Sequence, residues 1–463
     1  MEVDTVVAIA TPPGRGALGV IRLSGPASFT IASALSGHGP SLAERRAALV
    51  RLKSPDGNLL DQAIITGFRG PRSYTGEDMV EISCHGSALL LDRVVSACLT
   101  LGARPARPGE FTLRGFLNGR IDLTQAEAIT DIVEARSQAG LELALNQLEG
   151  ELRKRVEPIR TGLLDLLALM TALVEFSEED IPVPDHEAVQ RTLQNAASQL
   201  DRLLANYRQG QVLSHGVSLA IVGPPNAGKS SILNGLLGRQ RAIVTSVPGT
   251  TRDTVEEALV LQGVPFLVVD TAGITETEDP VEAIGVERSR QALDGAEIVL
   301  LVLDSSAALG VAEARIVELV AAAAANESLG HQSWRVVVAL NKSDLPRAID
   351  PSPIQTRLPQ SAVVDTRALE ADGLDDLRRL LPQIALDGPP VDGFVLSNER
   401  HHQQLSLARD WVSRALEAQA AGLPLDLVTI DVREAVASLG NVLGVDVSSD
   451  ILDAIFSRFC IGK

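Results

Sequence analysis

Apolar and polar positions alternate with different periods along the chain, and the changes of period divide it into regions. Before residue 120, short β-rich runs are separated by Gly- and Pro-rich turns, which is typical of an α+β domain. These runs are residues 5–10, 19–23 and 79–84. Thr124-Gln-Ala-Glu127 then has the form of a capping box, and it opens a helical pattern that continues to Phe176. A second helical stretch covers residues 185–207.

Residues 217–385 instead alternate apolar strands with helices. The strands are predicted at residues 217–222, 257–261, 265–269, 298–303, 336–340 and 362–364. Gln262-Gly263 joins the second and third strands as a two-residue hairpin turn, so this pair is antiparallel. The remaining continuous apolar runs are typical of buried parallel strands. This region is therefore predicted to be a doubly wound sheet with one antiparallel edge strand.

Helical periodicity resumes after Pro389-Pro390, so the doubly wound region interrupts a helical one. The predicted domains are residues 1–119 (α+β), 120–215 (helical, first part), 216–385 (doubly wound) and 386–463 (helical, second part). A length of 463 residues agrees with three domains at about 150 residues each. The fold class is thus multidomain, α/β and α.

The net charge is −18 and the isoelectric point is near 4.9. These values argue against a surface that attracts nucleic acid everywhere. Contact with RNA would need either a basic partner or a local patch, for which Arg104, Arg107, Arg114 and Arg120 are candidates.

Cys84, Cys98 and Cys460 are scattered and form no C-x-x-C pair, so neither a disulfide framework nor structural zinc is expected. The N-terminus has no basic segment, and the apolar run at residues 163–174 is short and contains Asp165. Neither a signal peptide nor a membrane span is predicted, and a cytoplasmic location is expected.

Gly223-Pro-Pro-Asn-Ala-Gly-Lys229-Ser230 lies between a predicted strand and a predicted helix. A phosphate-binding loop requires this context, because backbone N–H groups and a helix N-terminus must surround the phosphates. Lys229 can reach the β and γ oxygens, and Ser230 has the hydroxyl that such loops place on Mg²⁺. The motif predicts binding of a nucleoside triphosphate.

Asn341-Lys342-Ser343-Asp344 follows a later strand, and its final carboxylate can accept two hydrogen bonds from the N1–H and N2–H₂ edge of guanine. Asp270-Thr-Ala-Gly273 also ends a strand and lies between the two motifs. Asp270 is expected to meet Mg²⁺ through water, and the Gly273 N–H to sense the γ-phosphate. Three motifs in this order predict a Ras-like GTPase domain.

Two catalytic parts of many GTPases are missing. Ile274 stands where a water-orienting Gln is common, and no arginine finger is evident. Glu282 is the nearest candidate carboxylate, although Asp279-Pro-Val-Glu282 also fits an N-cap with a capping box. Asn226 and residues 245–251 offer the amide, hydroxyl and carbonyl oxygens that a monovalent cation would use.

Seven peptides, spread over almost the whole chain, resemble the MnmE (TrmE) family of bacterial tRNA modification GTPases. They are Thr11-Pro-Pro-Gly-Arg-Gly16, Gly76-Glu-Asp-Met-Val-Glu81, Arg107-Pro-Gly-Glu-Phe111, Phe116-Leu-Asn118, Leu123-Thr-Gln-Ala-Glu-Ala-Ile129, Gly249-Thr-Thr-Arg-Asp253 and Phe459-Cys-Ile-Gly-Lys463. The resemblance implies a homodimer with an N-terminal domain that dimerises and binds 5-formyltetrahydrofolate or a related tetrahydrofolate. It also implies a flavoprotein partner, MnmG (GidA), in a heterotetramer or larger complex, and addition of a carboxymethylaminomethyl-type group at C5 of wobble uridine in certain tRNAs.

The resemblance further implies K⁺-stimulated GTP hydrolysis and assigns residues to it. The implied catalytic residues are Glu282, Lys229 and Asp270. The nucleotide-binding residues are Asn226, Ala227, Gly228, Lys229, Ser230, Ser231, Thr245, Ser246, Val247, Pro248, Gly249, Thr250, Thr251, Asp270, Thr271, Ala272, Gly273, Asn341, Lys342 and Asp344. Ser230 and Thr251 are the implied Mg²⁺ ligands, and Asn226, Thr245, Val247 and Thr250 the K⁺ ligands. The folate residues are Arg22, Glu81, Arg120 and Lys463.

One segment departs from the family pattern, since Val364-Asp-Thr-Arg367 stands where a Ser-Ala-Lys loop supports guanine. A weaker hold on the base and fast nucleotide exchange are therefore expected. A K⁺-responsive ribosome-assembly or regulatory GTPase shares every nucleotide motif and is the alternative function. A folate-binding scaffold, with bond-making left to the flavoprotein, is a further alternative.

Overall fold

A computed structural model describes residues 4–37, 44–175, 186–238, 257–269, 293, 296–324, 335–388, 393–445 and 447–463. The chain forms two compact units. The first contains Met1–Thr130, Gln147–Ala197 and Leu407–Lys463, and the second contains Asp131–Asn146 and Ser198–Ser406.

The strands and helices of the described residues are numbered in chain order. The strands are β1 Val6–Ile9, β2 Gly16–Ser24, β3 Ala48–Lys53, β4 Leu59–Phe68, β5 Met79–Gly86, β6 Arg104–Pro105, β7 Val217–Val222, β8 Glu257–Leu261, β9 Val264–Val269, β10 Ile298–Asp304, β11 Arg335–Asn341 and β12 Ala362–Asp365. The helices are α1 Ser28–Ser36, α2 Ala88–Thr100, α3 Glu110–Leu117, α4 Leu123–Glu134, α5 Gln138–Leu148, α6 Glu151–Glu175, α7 His186–Leu204, α8 Tyr207–His215, α9 Lys229–Leu237, α10 Val311–Ala324, α11 Ser352–Arg357, α12 Asp375–Leu386, α13 Glu399–Ala420, α14 Leu425–Leu443 and α15 Ser449–Phe456.

The first unit contains a six-stranded sheet in the order β3-β4-β5-β2-β1-β6. Neighbouring strands are antiparallel except β1 and β6, which are parallel. Alternate residues such as Ile21, Leu52 and Ile82 are fully buried and share one core with Leu35 of α1 and Val94 of α2. The predicted α+β region is confirmed, because the period-two pattern directs one set of side chains into this core.

The long helical pattern predicted from Thr124 is three helices, α4, α5 and α6, rather than one. The capping box is also placed differently. Asp122 Oδ1 accepts hydrogen bonds from the Gln125 N–H (2.9 Å) and the Thr124 hydroxyl (2.6 Å). The Gln125 side chain in turn accepts from the Asp122 N–H at 3.0 Å. The break before α5 is capped by Ser137, whose hydroxyl accepts from the Gly140 N–H at 3.0 Å. Apolar periodicity runs through such turns, so only the caps reveal them.

Helices from before and after the doubly wound region pack together in the first unit. Helix α6 lies against α14. In addition, the Gln419 side chain donates a hydrogen bond to the His186 carbonyl oxygen at 2.9 Å. The insertion predicted from the sequence requires contacts of this kind.

The second unit contains a sheet in the order β12-β11-β10-β7-β9-β8. Its strands are parallel except β8, which pairs antiparallel with β9 as the sequence predicts. Apolar cores cover both faces, one including α9 and α12 and the other α10 and α11. In such sheets ligands bind outside the carboxyl ends of the strands. The predicted motifs at Gly223 and Asn341 lie at these ends.

The segments that lead into and out of this sheet lie side by side. The rings of Tyr207 and His402 stack with centroids 3.8 Å apart and planes 15° apart. A Cβ atom at Gly210 would overlap the Leu396 carbonyl oxygen, so α8 approaches residue 396 as closely as only glycine allows. Among the described residues, no helix combines the length and apolarity needed to cross a membrane.

Candidate functional site

The phosphate-binding loop occupies the turn between β7 and α9. Helix α9 begins at Lys229, and Gly228 before it has φ +95°. A Cβ atom at Gly228 would also overlap the Asn341 amide nitrogen, so both backbone conformation and space require glycine here. Asn226 is exposed, with φ 64°. The loop thus leads directly into a helix N-terminus, the arrangement that binds phosphate through backbone N–H groups.

The Lys229 ammonium group is held by the loop itself. It donates hydrogen bonds to the carbonyl oxygens of Gly223 (2.9 Å) and Pro224 (2.8 Å). These neutral acceptors are weaker partners for an ammonium group than phosphate oxygens are. A bound triphosphate can therefore replace one of them, with Lys229 already within the loop. Ser230 follows in the first turn of α9.

Asn341 joins the phosphate-binding loop to the loop after β12. Its amide nitrogen donates to the Ala227 carbonyl oxygen at 2.9 Å. Its amide oxygen accepts from the Thr366 hydroxyl at 3.2 Å and from the Ala368 N–H at 3.3 Å. The side chain is buried, at 2% exposure, whereas Asp344 is exposed. Asn341 therefore holds loops together, and Asp344 is the member of this motif that is available to a base.

Thr366 is a site residue that sequence reasoning missed. Its carbonyl oxygen accepts hydrogen bonds from both the N–H and the hydroxyl of Ser343, each at 3.1 Å. Its hydroxyl donates to Asn341, and the residue is fully buried. The segment that departs from the family pattern is thus tied to the Asn341 motif at three points. A hydroxyl residue directly after the last strand was the available signal.

Three of the four predicted folate residues belong to one cluster in the first unit. Arg22 on β2 and Glu81 on β5 are register partners, and their side chains form an ion pair with an Nε–Oε1 distance of 2.8 Å. Arg22 also donates to the Gly462 carbonyl oxygen at 3.3 Å. The carbonyl oxygen of the adjacent Lys463 accepts from the Phe111 N–H at 3.2 Å. The final residues of the chain are therefore bound beside this ion pair.

Arg120, the fourth residue, donates through Nε to the Ser73 carbonyl oxygen at 3.2 Å. The neighbouring Tyr74 lies with its ring centroid 6.0 Å from the Arg22 guanidinium carbon. Burial raises the pKa of Tyr74, so its hydroxyl stays protonated, and it exchanges a hydrogen bond of 2.8 Å with Thr112. Tyr74 thus adds a neutral aromatic surface to the Arg22 cluster, and no sequence motif indicated it.

Two family models match this chain, one at its N-terminal region and one over most of the remainder. The model of the GTP-binding protein TrmE N-terminus matches residues 5–120, and the model of the MnmE helical domain matches residues 123–460. The chain belongs to the MnmE (TrmE) family of tRNA modification GTPases.

Relatives named tRNA modification GTPase MnmE match this chain over its full length. The tRNA modification GTPase MnmE of Chloroflexus aurantiacus is 44% identical, covering 99% of this chain and 100% of the relative. That of a Synechococcus species is 42% identical, covering 99% and 98%. Among solved structures, the G domain of the T. maritima FeoB iron transporter is 23% identical. Its alignment covers 37% of this chain and 98% of the FeoB chain, with a TM-score of 0.25.

Several residues that the MnmE resemblance implicates lie outside the described residues. They are Thr245, Ser246, Val247, Pro248, Gly249, Thr250, Thr251, Asp270, Thr271, Ala272, Gly273 and Glu282. The sequence-based interpretations of the catalytic carboxylate, the K⁺ ligands and the second Mg²⁺ ligand therefore stay predictions.

Two of the four arginines considered for RNA contact in this MnmE-family chain are already paired with carboxylates. Arg114 is buried and pairs with Glu77 (2.9 Å), Glu110 (2.9 Å) and Asp4 (2.6 Å). Arg104 pairs with Asp4 and with Glu110. Both arginines thus hold β1, β6 and α3 together and are not free to meet phosphate. The spacing of charges along the chain could not show this, because Asp4 lies 110 residues from Arg114 in sequence.

The same ion-pair network makes stability depend on pH. Burial raises the pKa of Glu110, but hydrogen bonds from Arg104, the Arg107 N–H and Arg114 outweigh it and lower the pKa from 4.5 to about 2. A folded-state pKa below the unfolded one means that the stabilisation is complete above pH 4.5 and disappears as the pH falls toward 2. The expected loss is about 3 kcal/mol in the free energy of opening β1 and β6, measured by amide hydrogen exchange. Burial raises the pKa of Asp4 in the same network, but hydrogen bonds from Arg114 and Arg104 outweigh it and lower that pKa as well. Glu110→Gln should therefore remove most of this pH dependence and leave the part due to Asp4, and Glu318→Gln, which alters an exposed ion pair, should retain all of it.

Proposed function

We propose that this MnmE-family protein hydrolyses GTP to drive a tRNA modification carried out with the flavoprotein MnmG (GidA). The proposed product has a carboxymethylaminomethyl-type group at C5 of wobble uridine in certain tRNAs. The observation that carries the proposal is that one chain combines a nucleotide site held together by Asn341 with the Arg22–Glu81 cluster of the N-terminal sheet. A GTPase that acts only as a regulator has no use for the second site.

In the proposed nucleotide site, the loop N–H groups and Lys229 bind the phosphates and Asp344 binds guanine. The hydroxyl of Ser230, next to Lys229 in the first turn of α9, suits Mg²⁺, which prefers oxygen ligands. Thr251 is the proposed second protein ligand, and Asp270 would act through water. Glu282 is proposed to orient the attacking water. Proposed K⁺ ligands are Asn226, Thr245, Val247 and Thr250, the cation supplying the positive charge that no arginine finger provides.

The proposed one-carbon donor, 5-formyltetrahydrofolate or a related tetrahydrofolate, fits the donors and acceptors of the N-terminal cluster. The Glu81 carboxylate can accept from pterin N–H groups, and Tyr74 offers an aromatic face. Arg22, Arg120 and Lys463 provide cations for the acidic tail of a folate. When bound, the folate would supply the one-carbon unit, and these residues would orient it and keep the pterin edge paired.

A homodimer is proposed because apolar residues are exposed on the same sheet face as the Arg22–Glu81 pair. Leu49 and Ile64 are directly opposite each other on β3 and β4, at 65% and 43% exposure. Leu18 of β2 is 64% exposed. Alternation along the strands puts these side chains on the face opposite the buried core. A second copy of the chain covering this face would shield them and enclose the folate cluster at its border.

We also propose the domain limits 1–119, 120–215, 216–385 and 386–463, with both helical parts forming one domain. The packing of α6 against α14 supports this division. A heterotetramer or larger complex with the flavoprotein, in the cytoplasm, completes the proposal. Since Arg104 and Arg114 are already paired, tRNA would be bound chiefly through the partner.

Nucleoside mass spectrometry of bulk tRNA from source cells with and without this chain tests the proposal. Loss of C5-substituted wobble uridines, restored by the wild type but not by Glu282→Ala, is the expected result. Glu282→Ala should lower GTP turnover by at least about 100-fold while leaving GTP affinity unchanged, because it removes a water-orienting group only. Glu318→Ala is the control on an exposed ion pair remote from this segment in sequence.

An unchanged nucleoside profile would contradict the modification and leave the K⁺-responsive ribosome-assembly or regulatory GTPase. Loss of GTP binding in Glu282→Ala would mean that Glu282 caps a helix and is structural.

A further inference from the structure

Asp304, which belongs to none of the nucleotide motifs, forms an ion pair with one of their residues. It is the last residue of β10 and the register partner of Asn341 at the end of β11. Its Oδ2 atom lies 2.6 Å from the ammonium nitrogen of Lys342, the residue directly after Asn341. The carboxylate and the ammonium group are about one quarter and one third exposed. The pair therefore links two strand ends at the carboxyl edge of the sheet.

The second oxygen of Asp304 fixes the orientation of its carboxylate. Oδ1 accepts hydrogen bonds from the Ser306 N–H (2.9 Å) and the Ser306 hydroxyl (2.6 Å). The backbone is held as well, since the Ser305 N–H donates to the Asn341 carbonyl oxygen at 2.8 Å. Because both carboxylate oxygens are hydrogen-bonded, the Asp304 side chain keeps one orientation, with Oδ2 toward the Lys342 ammonium group.

Lys342 begins the turn that presents Asp344. Its φ of 60° is in the left-handed region, which residues other than glycine seldom adopt and which persists only where surrounding contacts hold it. The Lys342 carbonyl oxygen accepts from the Leu345 N–H at 3.0 Å and closes the turn. Ser343 is bonded to Thr366, so the turn is held on one side by Asp304 and on the other by Thr366. Asp344 directly follows these two attached residues and is exposed.

We propose that Asp304 is a positioning residue of the guanine site, acting through its ion pair with Lys342. The pair keeps Lys342 and the following turn in the conformation that directs Asp344 at a guanine base. Compared with a chain that lacks this ion pair, less conformational entropy of the turn is lost when the nucleotide binds, and the nucleotide dissociates more slowly. This inference rests on the proposed GTP-binding function.

The test is dissociation of fluorescently labelled GDP from the full-length chain with Mg²⁺, measured by stopped flow, together with steady-state GTPase kinetics. Asp304→Asn should increase the dissociation rate constant about 10-fold, as expected for losing one partly exposed charge-assisted hydrogen bond. KM should rise by a similar factor while kcat stays unchanged, because bond cleavage does not involve Asp304. Ser306→Ala, which removes the hydroxyl bond to Oδ1 but keeps the N–H bond, should give a smaller increase of about 3-fold. The matched control is Asp376→Asn, which breaks an ion pair with Arg379 on α12.

A double-mutant cycle shows whether Asp304 acts through Lys342. Lys342→Met should itself speed dissociation, and adding Asp304→Asn to it should change the rate by less than about 2-fold. An unchanged rate in Asp304→Asn, or an undiminished effect in the Lys342→Met background, would overturn the inference. If Asp304→Asn does not fold, Ser306→Ala still decides it, because this variant acts on the Asp304 carboxylate without altering Lys342 and predicts faster release.

Failure of the inference is distinguishable from failure of the proposed function. A wild-type chain that binds GDP tightly while Asp304→Asn releases it no faster contradicts only the role of Asp304. A wild-type chain that binds no guanine nucleotide contradicts both.

Discussion

Asn341→Ala is expected to weaken the binding of GTP and GDP by at least about 100-fold, since each buried polar group left unpaired costs about 1–3 kcal/mol. The substitution removes the acceptor for the Thr366 hydroxyl and the Ala368 N–H, and the donor to the Ala227 carbonyl oxygen. The phosphate-binding loop and the loop after β12 would then be free to separate. Isothermal titration calorimetry with GDP and Mg²⁺ measures the loss.

Asn398→Ala is the matched control for Asn341→Ala. It removes one asparagine side chain that accepts a hydrogen bond from the His401 N–H at 3.3 Å, before α13 and away from the nucleotide motifs. Its GDP affinity should stay within about 2-fold of the wild type, a change of about 0.4 kcal/mol. An Asn341→Ala chain that binds GDP with nearly wild-type affinity would show that the loops hold their positions without the Asn341 side chain.

Asp344→Asn is expected to change the preferred base from guanine to xanthine. An asparagine amide turns a donor toward the guanine N2–H₂ group, where the carboxylate had turned an acceptor. Xanthine has a carbonyl oxygen at that position, so the amide can pair with it. GTP affinity should fall by at least about 1,000-fold and XTP affinity should rise above it, because hydrogen-bonding sites reject unmatched ligands strongly. Competition of GTP and of XTP against fluorescently labelled GDP or XDP measures the affinity of the variant for each nucleotide.

Asp350→Asn controls for loss of a carboxylate in the same loop. Asp350 accepts from the Ser352 N–H at 3.0 Å, just before α11. The Asp350→Asn variant should have a slightly lower free energy of unfolding and should keep its preference for GTP. If Asp344→Asn also kept that preference, base recognition would have to reside in other residues, and the proposed site would need revision.

Strand positions in the doubly wound sheet could be predicted from the sequence to within one residue. Strands such as β10 and β11 are buried on both faces, so each is a continuous apolar run with a clear beginning and end. The helices after Thr124 could not be separated in this way, because apolar positions continue at helical spacing across the turns before α5 and α6. The cap at Ser137 decides the boundary before α5, and Gly150, with φ 79°, stands directly before α6.

The nucleotide motifs were evident because their residues are consecutive and each has a known chemical task. Thr366, Asp304 and Tyr74 were not, since each acts on a residue far away in sequence. Asp304, for example, meets Lys342 only because parallel pairing brings the ends of β10 and β11 together. Long-range register is a property of the folded sheet, and one sequence does not reveal it.

Gly210 contacts Leu396, and the rings of Tyr207 and His402 stack beside this contact. The GTPase region therefore leaves and rejoins the rest of the chain at one place. Its two ends are neighbours, so the length of chain between them can change without altering the gap that the flanking residues must bridge. A different nucleotide-binding sheet grafted between these ends would meet the same attachment points. The flanking residues thus mark the place at which one nucleotide-binding domain can be exchanged for another.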